Sequence, residues 1–198
     1  MNKSFAHTRL EDIALITPGY QFREKIIPSP DGNVSVIQMS NINDDYTLNT
    51  ANLTKTCIKE YELKEEYYLL QDDILFTPRG YKNFATLIDR PLGKTIAASH
   101  FYIIRIKDQK IITPPYLAWY INQKPAQEYL KSHAAGTNIP IINRKLLGQL
   151  TLSIPAMERQ IKIAKIYNLS LRENFLIKEI QKKRNLFIET LLLKQVNS

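Results

Sequence analysis

Asp31, Glu62 and Lys64 have the residue types and the loose spacing of metal-dependent nuclease chemistry, as Pro30-Asp31 followed by Glu62-Leu63-Lys64. In such a centre two carboxylates bind Mg²⁺ and the lysine stabilises the attacking water. Their setting argues against it. Ser29-Pro-Asp-Gly-Asn33 is a turn sequence and Glu60–Glu66 reads as an exposed polar helix, whereas carboxylates that share a metal need rigid adjacent strands.

Thr113-Pro114-Pro115-Tyr116 is a second suggestive pattern, similar to the one with which amino-methylating DNA methyltransferases hold a flipped base. Threonine is the wrong first residue for accepting from an exocyclic amine, and paired prolines suit the first turn of a helix. The six glycines stand singly, so neither a phosphate-binding loop nor a Gly-rich cofactor turn is present. His7, His100, His133 and the single Cys57 lack metal-ligand spacing. The residues therefore predict no cofactor, no metal and no catalysis.

Charge is more informative. The 198 residues carry a net +8, distributed as −5 over residues 1–73, +8 over 74–155 and +5 over 156–198. A concentrated basic excess is the electrostatic footprint of a phosphate-backbone binder. One cysteine excludes an internal disulfide, and no run approaches the roughly 18 apolar residues of a membrane span. These features predict a cytoplasmic protein with no membrane partner.

The elements that would position a binding surface fall into two groups. All six glycines and all ten prolines lie within residues 1–155, which marks a boundary at Pro155. Before it, Val34–Met39, Ile74–Thr77, Phe84–Ile88, Phe101–Ile106 and Leu150–Ile154 are short, β-branched or aromatic, and bounded by turn residues. Helical stretches are expected at Tyr116–Asn122, Ala126–Ala135 and Arg144–Leu147. Strands and helices do not alternate regularly, so the fold class expected for 1–155 is an irregular mixed α+β domain.

Residues 156–198 predict a long amphipathic, coiled-coil-like helix. Steps of three and four place Ile163, Ile166, Ile177, Ile180, Phe187 and Leu191 on one stripe, interrupted by Ser170, Glu173 and Arg184. Unbroken, such a helix spans about 60 Å, too long for a domain of this size to cover. Its stripe therefore requires a partner. The alternative is a kinked hairpin folded back on the domain.

Six segments in order give a fuller pattern: Val36–Ile42, Asp73-Ile-Leu-Phe-Thr-Pro-Arg-Gly80, Ala97–Arg105, Tyr116–Asn122, Gly136–Ile142 and Leu150–Pro155, the last leading into Glu158-Arg-Gln-Ile161. Together they resemble the target-recognition domain and helix of type I restriction-modification specificity subunits. The resemblance implies a non-catalytic protein that reads a half-site of double-stranded DNA. It also implies that the helix docks a methyltransferase subunit and sets the spacing to a second recognition domain, and that a restriction (motor-nuclease) subunit joins the assembly. With one recognition domain and one helix, the chain looks like a half-subunit, natural or excised, that pairs as a homodimer.

The basic middle segment supplies groups for such reading. Arg79, Tyr81, Lys82 and Asn83 form the first candidate loop, and Gly136, Thr137 and Asn138 the second. Ser40–Asp45 ranks third because Asp44 and Asp45 would repel phosphate. Two other functions compete: an interaction module that uses the helix without touching DNA, and the Mg²⁺-dependent nuclease already weighed.

Overall fold

The β-branched runs become strands, each one or two residues shorter than its sequence pattern. The computed structural model describes residues 6–135 and 140–196. The chain divides into two compact units, Met1–Ile161 and Lys162–Ser198.

Among the described residues, nine strands build the first unit: β1 (Ala6–Arg9), β2 (Ala14–Pro18), β3 (Val34–Ile37), β4 (Thr54–Thr56), β5 (Ile74–Phe76), β6 (Ala85–Leu87), β7 (Thr95–Ala97), β8 (Tyr102–Ile106) and β9 (Thr151–Ile154). Four antiparallel strands pair in the order β2-β8-β5-β6, and three in the order β4-β3-β7 with β3 and β7 parallel. Side chains alternate across the smaller sheet, as the strand period of two requires. Ile37 and Ala97 face a core shared with Leu75, Ile88, Phe101 and Ile103. Val34, Val36 and Ile96 face a second cluster with Ile58, flanked by Tyr20, Phe22 and Tyr67. Gly19 lies where the chain passes β7, and a Cβ there would stand 2.3 Å from the Ala98 carbonyl oxygen.

A bidentate ion pair crosses the larger sheet. Arg105 on β8 donates from Nε and a terminal nitrogen to the two oxygens of Asp73 at 2.7 and 2.6 Å, and also to the Tyr68 carbonyl at 3.0 Å. Asp73 is fully buried and accepts from the Leu70 N–H. Hydrogen bonding to Asp73 is the main reason the Arg105 pKa is raised. The pair joins the first residue of one sequence segment to the last of another.

Among the described residues there are also five α-helices: α1 (Leu10–Ile13), α2 (Pro114–Ile121), α3 (Lys124–His133), α4 (Arg144–Gly148) and α5 (Met157–Val196). Pro114 and Pro115 open α2, as expected, and Pro125 lies in the first turn of α3. Tyr116 is buried and its hydroxyl donates to the Ser153 carbonyl at 2.6 Å, so its ring belongs to the core rather than to a base-stacking site. The expected polar helix at Glu60–Glu66 is corrected to two 3-10 turns, Glu60–Glu62 and Glu65–Tyr67. Six charged or aromatic residues around the single Leu63 give a helix no apolar stripe to pack.

β1 pairs antiparallel with β9, from Ala6↔Ile154 to Arg9↔Thr151, bracing the segment that leads into α5. Gln160 in the first turn of α5 is 1% exposed. Its oxygen accepts from the Thr113 N–H at 2.8 Å, and its nitrogen donates to the Ile111 and Pro155 carbonyls, both at 2.9 Å. One side chain thus satisfies the start of α2 and ties down the start of α5.

α5 is one helix of 40 residues, so the folded-back hairpin is overturned. Of the stripe residues, Ile163 is half-buried and Ile166, Ile177, Ile180, Phe187 and Leu191 are exposed.

Candidate nucleic-acid interface

β5 and β6 form a hairpin in the register Ile74↔Leu87, Leu75↔Thr86, Phe76↔Ala85, extended by the Thr77 N–H bonding to the Phe84 carbonyl at 3.0 Å. The loop between them, residues 78–83, holds the first set of candidate readers. Gly80 takes φ +109, a conformation that side-chain-bearing residues rarely adopt. Its N–H donates to the Pro140 carbonyl at 3.1 Å, the Ile142 N–H donates to the Pro78 carbonyl at 2.8 Å, and Arg79 bridges Ile141. Ile141 also bridges Ala135. The loop is therefore fixed to the chain that follows the second candidate set, and that chain pairs in turn with Ala135 before it. Gly136, Thr137 and Asn138 themselves lie outside the described residues.

Arg79, Tyr81 and Lys82 are exposed, Tyr81 by 76%. Asn83 is buried, and its amide nitrogen donates to the Thr77 carbonyl at 2.9 Å, closing the loop from inside. The edge strand β6 is held from outside by Asn122 after α2. Its side-chain oxygen accepts from the Ala85 N–H and its nitrogen donates to the Ala85 carbonyl, both at 2.8 Å. This side chain acts as a short extra strand, and it sets α3 beside the hairpin.

The result is a recess of 380 Å³ lined by Tyr46, Tyr81, Lys82, Asn83, Lys124, Gln127, Glu128 and Lys131. Tyr46 stacks on Phe84 with ring centroids 4.8 Å apart and planes 12° from parallel. It comes from a turn in which Asp45 accepts from both the N–H and the hydroxyl of Thr47, so Asp45 is engaged within its own turn. Lys124 and Glu128 form an exposed ion pair at 3.7 Å. Three ammonium groups and two phenol rings around one carboxylate offer contacts to phosphate, stacking surface and an anionic hydrogen-bond acceptor.

Sequence reasoning missed Tyr46, Lys124, Gln127, Glu128 and Lys131. A signal for the last four exists, because steps of three and four place them on one polar face of α3. Tyr46 has none, since only the folded chain brings it to the hairpin. The nuclease-like residues are scattered in role. Asp31 sits in a turn, Glu62 accepts from the Tyr20 hydroxyl at 3.4 Å, and Lys64 pairs with Glu66 at 3.8 Å. Among the described residues no group of His, Cys, Asp and Glu is arranged to hold a metal ion. No described helix is long and apolar enough to cross a membrane.

The family model of the type I restriction modification DNA specificity domain matches residues 2–186. No curated protein sequence matches. Among solved structures, the type I restriction-modification S subunit from M. genitalium is 17% identical, with a TM-score of 0.56 over 87% of this chain and 40% of that one. The HsdS subunit from Thermoanaerobacter tengcongensis is 16% identical, with a TM-score of 0.63 over 89% of this chain and 44% of that one. A chain from a structure addressing complex assembly and conformational transition of the type I R-M system is 14% identical, with a TM-score of 0.66 over 96% of this chain and 44% of that one. The chain thus spans less than half the length of each of these proteins, and at such identities the likeness is one of fold.

Proposed function

Since the chain belongs to the family of type I restriction-modification DNA specificity domains, we propose that it is a sequence-specificity subunit without chemistry of its own. It reads a half-site of a bipartite double-stranded DNA target. Residues 1–155 form the recognition domain, and residues 156–198 serve dimerisation, spacing and docking of the methyltransferase subunit. The restriction subunit joins through the complex, which works in the cytoplasm. Two copies pair through Ile163, Ile166, Ile177, Ile180, Phe187 and Leu191, and their two-fold symmetry is mirrored in an inverted site with an unread gap.

The observation that carries this reading is the braced loop beside the cationic, aromatic recess. Arg79 and Lys82 stand exposed on a hairpin pinned at Gly80, at Asn83 and through the Arg79–Ile141 bridge. Such bracing presents side chains at fixed positions, as reading base edges requires. Arg79, Tyr81 and Lys82 do the reading, Asn83 sets the shape of their loop, and Gly136, Thr137 and Asn138 contribute from the neighbouring segment.

The test is selection of bound duplexes from a random library, followed by binding of single-base variants at two salt concentrations. Arg79→Ala should flatten preference at one or two positions, removing about tenfold discrimination. Lys82→Ala should weaken all sequences alike and lower the salt slope by about one. Purified protein given Mg²⁺, ATP and S-adenosylmethionine should neither cleave nor methylate DNA. Cleavage lost on Asp31→Ala, or binding without sequence preference, would overturn the reading.

A further inference from the structure

Glu128 is the one carboxylate in the wall of a recess that otherwise offers three lysines. It stands between Lys124, four residues before it, and Lys131, three after, so all three share a face of α3. Its ion pair with Lys124 is exposed and runs in the less favourable order, lysine before glutamate, so helix stability gains little from it. A carboxylate on a phosphate-facing surface repels the backbone, whereas one facing a base edge accepts from an amino group.

The geometry fits one ligand. Lys124 and Lys131 stand about one turn to either side of Glu128, about 10 Å apart along the helix axis, and their long side chains reach beyond the shorter one between them. Two cations at that spacing reach phosphates flanking the groove while the side chain between them meets its floor. In the major groove, adenine sets its N7 acceptor beside the N6 amino group, and N7 repels a carboxylate. Cytosine presents its N4 amino group alone.

We propose, resting on the reading of this chain as a DNA-specificity subunit, that α3 enters the major groove. Glu128 accepts from a cytosine amino group, and Lys124 and Lys131 grip the phosphates on either side. The β5–β6 loop reads the neighbouring bases from the opposite wall of the recess.

The test repeats the random-duplex selection with the full chain, comparing wild type, Glu128→Gln, Lys124→Gln/Lys131→Gln and Arg79→Ala. All four positions involved are exposed, and thermal midpoints check that each variant folds. Glu128→Gln should move one position of the selected site from cytosine to adenine, which glutamine reads through N6 and N7, by about tenfold. The double lysine variant should lose affinity for every sequence and lower the salt slope by about two. If Glu128→Gln selects the wild-type site while Arg79→Ala changes it, the role of α3 fails and the specificity function stands. If Glu128→Gln instead binds all duplexes more tightly with unchanged preference, the carboxylate faces backbone and the inference is again overturned. If wild type selects no sequence, both the inference and the function fall together.

Discussion

The unit Met1–Ile161 and the part of α5 that lies beyond it draw on the same aliphatic residues with opposite results. In the first, Ile74, Leu75, Phe76, Ile96 and Phe101 are wholly removed from water. In the second, Ile166, Leu169, Ile177, Ile180, Phe187, Leu192 and Leu193 remain open to it. Strands whose residues alternate between two cores satisfy one another within the unit. A single helix has no second layer of its own, and each large apolar side chain left exposed forgoes about 1.5–3 kcal/mol. The first unit carries its own stability, whereas the helix face, on the proposed reading, would gain its stability from association.

The largest effect expected from that contrast is on assembly. Placing charges on the helix with Ile177→Asp and Ile180→Asp should weaken self-association at least a hundredfold, about 3 kcal/mol or more, since two desolvated carboxylates replace two buried aliphatics. Sedimentation velocity should show a dimer reduced to a monomer while the thermal transition of the first unit stays in place. A dimer that survives both substitutions would put the interface elsewhere.

The converse probe lies in the sheet. Asp73→Ala removes a buried carboxylate that accepts from Arg105 and from the Leu70 N–H. Breaking a fully buried pair costs about 3–5 kcal/mol, and the Arg105 side chain is 32% exposed, so about 2–4 kcal/mol is expected here. Urea unfolding of the full chain measures it, with the dimer constant unchanged for the folded fraction. A loss under about 1 kcal/mol would mean that water replaces the aspartate without difficulty.

How much of this was legible follows from where the information resides. β3, β5, β6, β8 and β9 were readable because each is a local β-branched or aromatic run ended by turn residues. β4, Thr-Lys-Thr, and β7, Thr-Ile-Ala, were not, because three-residue strands owe their existence to β3, which pairs with both. β1 and β2 escaped for a related reason, since their partners, β9 and β8, are far along the chain. The long helix was evident from 43 residues without glycine or proline. At the candidate site, Arg79, Tyr81 and Lys82 could be picked out as a polar loop between two strands. The α3 wall could not be joined to them, because that juxtaposition depends on Asn122 binding Ala85 across 37 residues. Gln160 was visible within Glu158-Arg-Gln-Ile161, but its partners at Ile111 and Thr113 appear only in the fold.

The smallest effect tests whether the first unit is as dry as its packing implies. Tyr116 is 3% exposed, and burial, reinforced by Tyr120, raises its pKa from 10.0 to about 12. Its neutral form is therefore favoured in the folded state, and its contribution is complete below pH 10. As pH rises from 10 through about 12 the unfolded chain loses the phenolic proton first, so stability falls across that window. Tyr116→Phe deletes the hydrogen bond to Ser153 at a cost of about 1 kcal/mol near neutral pH, and it also removes the titrating group. Stability of the variant measured from pH 9 to 12 should decline less steeply than that of the wild type, with the two curves converging at the alkaline end. Parallel curves would mean that the Tyr116 hydroxyl ionises as readily in the folded chain as in the unfolded one, and that water reaches the junction of α2 and β9.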